Sequence, residues 1–421
     1  MYPYTKDAVM YETPRETWIF LVDQDKKVKI EKNAETVLSF CNGLREEKEV
    51  IDTIVHQMGV SHQEAEELYR KIRKPFSEKG VLHYSNTPQE HPVVYRPQVL
   101  DPPFEKAYLE LTHCNLTCRN GHHTDEEELS VDEWKDTIDE LFDCGCLKLS
   151  LTGEPLLYEG FFEIVHYARE KPLTISVYTN GLLPDRKTAH RMKKMGVSSV
   201  YFSVGDPTAA IHDEFKRDTK SFDKTVAAIK TAQSEGLQIK ITIHIHRKNL
   251  NKGEALKNFM NTLGVTEYTF APVIRSLREK DYAITPAEYA AFLESLPGNK
   301  TIKKVTQPHV KPCRMGYTEC VIHFDGTVGL CPPFDIHGPL LGDLTTDLFV
   351  DVWNSPFLQR LRRFDTFTRK KREKDPHMCS WLDRCIAQTY YMAEVVTCGG
   401  FYGVGCHRLC QIEALRKKET L

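Results

Sequence analysis

Residues 107–118 read AYLELTHCNLTC, a run of alternating apolar residues that passes directly into a loop with two cysteines. Alternation of this kind marks a strand with one buried face, and the loop behind it carries side chains able to ligate metal. The same grammar recurs downstream. Short apolar or β-branched runs appear at LKLSLT (147–152), LTISVYT (173–179), SVYFSV (199–204), QIKITIHI (238–245) and EYTFAPV (267–273), with amphipathic helices between or after them. The clearest helix is VDEWKDTIDELF (131–142), where Ser130 and Glu133 are spaced for a capping box. Others are expected to begin near Gly160, Asp185, Ser221, Lys252 and Pro286. Six strand–helix units in continuous alternation predict parallel strands with right-handed crossovers, as an open sheet or a barrel.

The unusual residues all sit at one end of these strands. Cys114 and Cys118 follow the first, TGEP (152–155) the second, YTNG (178–181) the third, SVGDP (203–207) the fourth and HRKN (246–249) the fifth. In parallel α/β folds the C-terminal strand ends form the rim on which sites are built, so five loops distant in sequence are expected to converge. Cys144 and Cys146 in DCGC precede the second strand, at the opposite end, and read as structural thiols, as does Cys41 within a helix. His244 and His246 share a strand face and read as a satisfied or exposed pair, not a metal site.

Residues 17–84 form a separate unit. TWIFLVDQDKKVKI (17–30) alternates around a polar turn, predicting a β-hairpin with one buried face. Three helices follow: one capped by Asn33 and stopped by Gly43, one through EVIDTIVHQMG (49–59), and one opened by a Ser61/Glu64 capping box. A hairpin with three short helices is a winged-helix-like module. SNTPQEHPVVYRPQVLDPPF (85–104), with five prolines, reads as a semi-rigid linker. The expected division is 1–86, a linker at 87–105, the strand–helix domain at 106–300, and a cysteine-rich domain at 301–421.

Bulk properties restrict the possibilities further. A net charge of −3 over 421 residues gives no global field to attract nucleic acid or a membrane. The basic runs RKKREK (369–374) and LRKKET (415–420) lack interleaved aromatics and read as solvated faces. With no signal-peptide core and no apolar stretch of spanning length, the expected location is the cytoplasm. There thiols stay reduced, so thirteen cysteines point to metal before disulfides. Eight of them, Cys313, Cys320, Cys331, Cys379, Cys385, Cys398, Cys406 and Cys410, fall between residues 313 and 410, towards the end of the chain.

Taken together, these motifs resemble a radical S-adenosylmethionine enzyme with a C-terminal SPASM domain, preceded by a PqqD-like peptide-recognition domain. The resemblance implies a partial (β/α)6 TIM-type barrel. It implies a [4Fe–4S] cluster on the loop of Cys114 and Cys118, with an open iron that chelates S-adenosylmethionine. Reductive cleavage then gives a 5′-deoxyadenosyl radical that abstracts hydrogen from substrate, with the electron coming from an external donor. By the same resemblance Thr152, Gly153, Glu154 and Pro155 would bind the methionine amino group, and Ser203, Lys216 and Asn249 would surround its carboxylate, ribose and adenine. The implied activity is that of an oxidoreductase maturing a ribosomally synthesised precursor peptide, whose leader the N-terminal domain would hold.

The sequence departs from the family pattern at its centre. Where C-x3-C-x2-C is expected, the third position is Gly121, and the TGEP turn has one glycine instead of two. Two thiolates completed by His122 or His123 would be one solution, and a degenerate or absent barrel cluster another. In the tail, Cys313, Gly326 with four residues before Cys331, and Cys406-x3-Cys410 fit the SPASM pattern. Cys379-x5-Cys385 and Cys398-x7-Cys406 replace its usual centre. Eight thiols suit up to two auxiliary clusters, with zinc as the competing metal. The alternative function is a non-catalytic homologue that keeps leader binding.

Overall fold

The computed structural model describes residues 1–6, 8–12, 16–91, 94–96, 100, 103–115, 127–182, 185–273, 282–284, 286–296, 316–330, 340–359 and 362. Two compact units emerge. The first takes Met1–Glu105 with Phe142–Leu147 and Ala168–Thr174, and the second takes Lys106–Leu141, Lys148–Tyr167 and the chain from Ile175 onward.

In the first unit, β1 (Tyr2–Tyr4), β2 (Ala8–Glu12), β3 (Thr17–Leu21) and β4 (Lys26–Ile30) precede α1 (Lys32–Phe40), α2 (Glu47–Met58) and α3 (His62–Glu78). Then come β5 (His83–Ser85) and β6 (Val94–Arg96). β3 and β4 form the expected hairpin, with Leu21 opposite Lys26. The hairpin is buried differently from expectation, because β3 has two covered faces. Ile19 and Leu21 pack with Val28, Ile30 and the helices, whereas Phe20 and Val22 join Val9 and Leu147 in a second cluster. The unbroken apolar run WIFLV conceals this, since every position can be buried.

α3 opens with the Ser61/Glu64 capping box. α1 does not start at Asn33: Glu31 precedes its first turn without a side-chain cap, and Asn33 lies inside the helix. The stretch read as a linker contributes β6, which pairs in parallel with β2. The sheet order is β4-β3-β2-β6, and β5 pairs separately with β1.

Among the described residues, the second unit is built on a nine-stranded sheet. Its parallel strands are β7 (Lys106–Thr112), β8 (Lys148–Gly153), β9 (Thr174–Thr179), β10 (Ser199–Val204), β11 (Ile239–Ile245) and β12 (Tyr268–Pro272), all within a few residues of expectation. The order is β12-β11-β10-β9-β8-β7-β13-β14-β15, in which β13 (Glu319–Ile322), β14 (Thr327–Gly329) and β15 (Leu340–Asp343) extend the sheet beyond β7. Nothing in the sequence announces this continuation. β13 runs parallel to β7 with Val321 opposite Tyr108, and β13 and β14 form an antiparallel hairpin around Gly326.

Burial follows the period of two. On β7, Ala107, Leu109 and Leu111 are covered, while Lys106, Tyr108 and Glu110 stay half-exposed on the other face. The connecting helices are α4 (Val131–Asp143), α5 (Phe161–Arg169), α6 (Arg186–Lys194), α7 (Ala209–Lys216), α8 (Ser221–Ser234), α9 (Gly253–Thr262), α10 (Pro286–Ser295) and α11 (Phe349–Trp353). Ser130 caps α4 and Asp185 caps α6, as their sequences direct. α7 is an addition: its eight residues end at Arg217 in a left-handed conformation, too short for a clear period.

Candidate active site at the strand ends

The turn after β8 is shaped by Gly153. Its φ of +80° favours glycine, and a Cβ there would lie 2.1 Å from the carbonyl oxygen of Thr112 on β7. Thr152 donates from Oγ1 to the Leu109 carbonyl at 3.3 Å, and Pro155 opens a single helical turn, Pro155–Leu157. Between them Glu154 is fully buried. Its carboxylate accepts from Thr179 Oγ1 at 2.7 Å and from the Asn180 amide at 2.8 Å. Burial nevertheless pushes this carboxyl up to about 7, against those bonds and the nearby Lys216 charge.

Asn180, in the YTNG stretch, ties three loops together. Its Oδ1 accepts from the Leu182 amide at 3.0 Å, and its carbonyl accepts from Thr225 Oγ1 at 3.0 Å. Its Nδ2 donates to Asn115 Oδ1 at 2.7 Å and to Cys114 Sγ at 3.8 Å. Glu154 therefore holds the backbone of the residue whose side chain holds the Cys114 loop.

A second cluster surrounds the end of β10. Lys216, nearly buried at 4% exposure, donates to Ser203 Oγ. Gly205 is clamped on both peptide groups: its amide donates to His212 Nδ1 at 3.2 Å. Its carbonyl accepts from His246 Nε2 at 2.9 Å and from Asn249 Nδ2 at 2.8 Å. Burial lowers His212 to about 3, assisted by the Lys216 charge, and lowers His246 to about 4. Both imidazoles are neutral at pH 7. Asp206, also fully buried, accepts from Lys252 through both carboxylate oxygens at 3.1 Å.

Nearer β13, His323 Nδ1 lies 2.9 Å from Glu110 Oε2, Thr112 donates to Glu128, and the His113 ring packs 3.9 Å from that of Phe324. Lower on the same sheet face, Tyr178 stacks on Tyr201 at 4.2 Å and approaches Tyr108 at 6.3 Å.

The structure thus gathers Cys114, Thr152, Gly153 and Glu154 around Asn180, and brings Ser203 and Lys216 together, with Asn249 behind Gly205. Asn249 spends its amide on the Gly205 and His244 carbonyls. Cys320 lies inside β13, fully buried and opposite Ala107. Cys118, Gly121, His122, His123, Cys313, Cys331, Cys379, Cys385, Cys398, Cys406 and Cys410 lie outside the described residues. Sequence reading gave no role to Asn180, His212 or His323. For Asn180 the signal was present, since YTNG ends a strand on the functional rim; His212 sits on the unforeseen α7.

These residues fit an iron–sulfur cluster and S-adenosylmethionine. A half-buried thiol that accepts an amide N–H suits a cluster thiolate. The Gly153 turn packs directly on the Thr112 carbonyl of β7, which fixes this backbone at the strand end where the rim would bind a ligand. Lys216, set among neutral imidazoles, supplies positive charge suited to a carboxylate.

Comparison with known proteins agrees. Residues 112–260 match the family model of the Radical SAM superfamily, and residues 313–386 match that of the SPASM iron–sulfur cluster-binding domain. An AdoMet-dependent heme synthase of Nitratidesulfovibrio vulgaris is 28% identical over 52% of this chain and 63% of its own length, so the chain spans less than two thirds of that relative. The subtilosin biosynthesis protein AlbA of Bacillus subtilis is 22% identical over 77% of each chain. Streptococcus suis SuiB, in its crystal structure bound to precursor peptide SuiA, shares the fold with a TM-score of 0.60 at 13% identity, covering 85% of this chain and 89% of that one. Residues 112–260 are therefore similar to a Radical SAM superfamily domain and residues 313–386 to a SPASM domain, a pair that implies [4Fe–4S] clusters and S-adenosylmethionine as cofactors.

Proposed function

We propose that this chain is a radical S-adenosylmethionine peptide maturase that introduces an oxidative modification, such as a cross-link, into a ribosomally synthesised precursor. Bound together, the cluster and S-adenosylmethionine supply one-electron chemistry able to activate an otherwise inert C–H bond. The chain's own residues orient and enclose that chemistry. Asn180 and Glu154 fix the loops around Cys114, the Gly153 turn presents backbone, and Lys216 with Ser203 offers donors to a carboxylate. Cys114 and Cys118 would ligate the barrel cluster, with the remaining thiolates serving the tail.

The observation that carries the peptide reading is the open edge of β4. Among the described residues β4 pairs only with β3, so an extended leader could add to the sheet through main-chain hydrogen bonds. The lysines of this strand already have partners, Lys29 on Glu16, Lys27 on Glu105 and Lys26 on the Lys79 carbonyl, so main-chain pairing and not charge would carry the contact. Residues 1–86 would serve as the PqqD-like recognition domain, 87–105 as a connector, 106–300 as the catalytic domain and 301–421 as the auxiliary-cluster domain. AlbA, by name a bacteriocin biosynthesis protein, and SuiB, seen with a precursor peptide, support the reading. The expected partners are the precursor and an external electron donor.

A second reading, a homologue that captures the leader without radical chemistry, is favoured by Gly121 at the third cluster position. One experiment separates the two. The anaerobically reconstituted chain is given S-adenosylmethionine, a reductant and candidate short precursor peptides, while 5′-deoxyadenosine and peptide mass are followed. We expect both 5′-deoxyadenosine and a peptide that has lost hydrogen. Peptide binding without either product would establish the second reading, and no binding at all would defeat both.

A further inference from the structure

Asn180 is 6% exposed, and each of its polar groups has a partner. Its amide orientation is fixed from both sides: the Leu182 amide needs an acceptor, so Oδ1 faces it, and Nδ2 must face the Cys114 loop. The two Nδ2 hydrogens then serve two atoms of adjacent residues, Asn115 Oδ1 at 2.7 Å and Cys114 Sγ at 3.8 Å. The backbone beneath is equally fixed, since the Asn180 amide donates to buried Glu154 and its carbonyl accepts from Thr225. A donor locked in this way cannot turn elsewhere when the charge on the sulfur changes.

From this geometry we propose that Asn180 is a positioning residue that sets the reduction potential of the barrel cluster by donating an N–H to the Cys114 sulfur. The inference rests on the reading above that Cys114 ligates that cluster. Reduction adds negative charge that the ligating sulfurs share, and a fixed N–H dipole aimed at one of them stabilises the reduced state more than the oxidised state. The bond to Asn115 adds a mechanical role, because it holds the residue next to the ligand and limits the sulfur's freedom to leave iron.

The test uses the full chain, anaerobically reconstituted, as wild type, Asn180→Ala and Asn180→Asp. Redox titration follows by electron paramagnetic resonance the signal that changes when S-adenosylmethionine is added, which separates the barrel cluster from any in the tail. Asn180→Asp keeps the acceptor for the Leu182 amide, so it removes the donor while preserving the turn. We expect the potential to move to more negative values in Asn180→Ala and further in Asn180→Asp, where a carboxylate faces the sulfur, with faster loss of iron to a chelator in both. Wild-type potentials in both variants, or a positive shift, would overturn the inference and leave the cluster reading standing. A wild-type chain with no signal responsive to S-adenosylmethionine would remove the cluster reading, and this inference with it.

Discussion

Replacing Gly153 with alanine separates two costs that are usually confounded. Gly153 and Gly264 both have positive φ, +80° and +66°, but only Gly153 has backbone in the path of a Cβ, whereas Gly264 has nothing within 4 Å. Alanine in the left-handed region costs about 1–2 kcal/mol, and Gly264→Ala should show little more than that. At Gly153 the new methyl would lie 2.1 Å from the Thr112 carbonyl oxygen, well inside any real contact. Relief requires β7 and β8 to part at Thr112 and Gly153, where their register already shifts. Each buried backbone group left without a partner adds about 1–3 kcal/mol. With one such group lost the sum is roughly 2–5 kcal/mol for Gly153→Ala, about twice the effect at Gly264. Urea unfolding of the two variants, followed by hydrogen exchange of the β7 and β8 amides, measures the difference and locates it. Equal destabilisation, or unchanged protection at Thr112 and Leu111 in Gly153→Ala, would refute the claim that this turn is closed to a side chain.

Two further outcomes are open to measurement. His212 and His246 stay neutral in the fold down to about 3 and 4, while unfolded imidazoles protonate near 6.5, so the unfolded state binds more protons across that interval. Stability present above pH 6.5 should therefore fall as pH drops through this window, and His246→Asn should flatten the fall in a thermal-melt series; a profile as steep as wild type would exclude His246 as a source. In the tail, Cys331→Ala should lower both iron and acid-labile sulfide per chain, since thiolate ligands and metal retention are coupled; a full zinc complement without sulfide in the wild type would show the thiolates to be a zinc site.

Much of the parallel sheet was legible because strands such as β7 and β11, with one covered face, alternate buried and open positions along their seven residues. SVYFSV became β10 at residues 199–204 without adjustment. Capping at Ser61, Ser130 and Asp185 was legible for a similar reason: the chemistry is local, and partners three residues apart meet in any helix that forms. Long-range decisions were not legible. The pairing of β13 with β7 joins residues more than two hundred positions apart, and Val321 could have faced many strands. β6 arises in a proline-rich stretch because β2 offers it an edge, a tertiary cause that outweighs local propensity. At the site, sequence marked the loops but not their wiring. The resemblance sets Asn249 beside the cofactor; in the fold its amide also serves the Gly205 and His244 carbonyls, which no spacing rule could have said.

That wiring explains why so much polarity is buried at the strand ends. Glu154, Asp206, His212, His246 and Asn249 are all fully covered, and each would be a cost to stability without its partners. The partners are not arbitrary: Glu154 joins the ends of β8 and β9, Asn180 joins β9 to the Cys114 loop, and the two imidazoles with Asn249 join Gly205 to α7 and the end of β11. These bonds fasten the loops after β7, β8 and β9 in one set and those after β10 and β11 in another, so no loop is positioned by its own sequence alone. A site whose chemistry depends on several groups meeting at one point needs that arrangement, because a loop free to move by an ångström loses alignment with the others. An apolar lining would have been cheaper for folding, but it has no directional bonds with which to hold five loops in register.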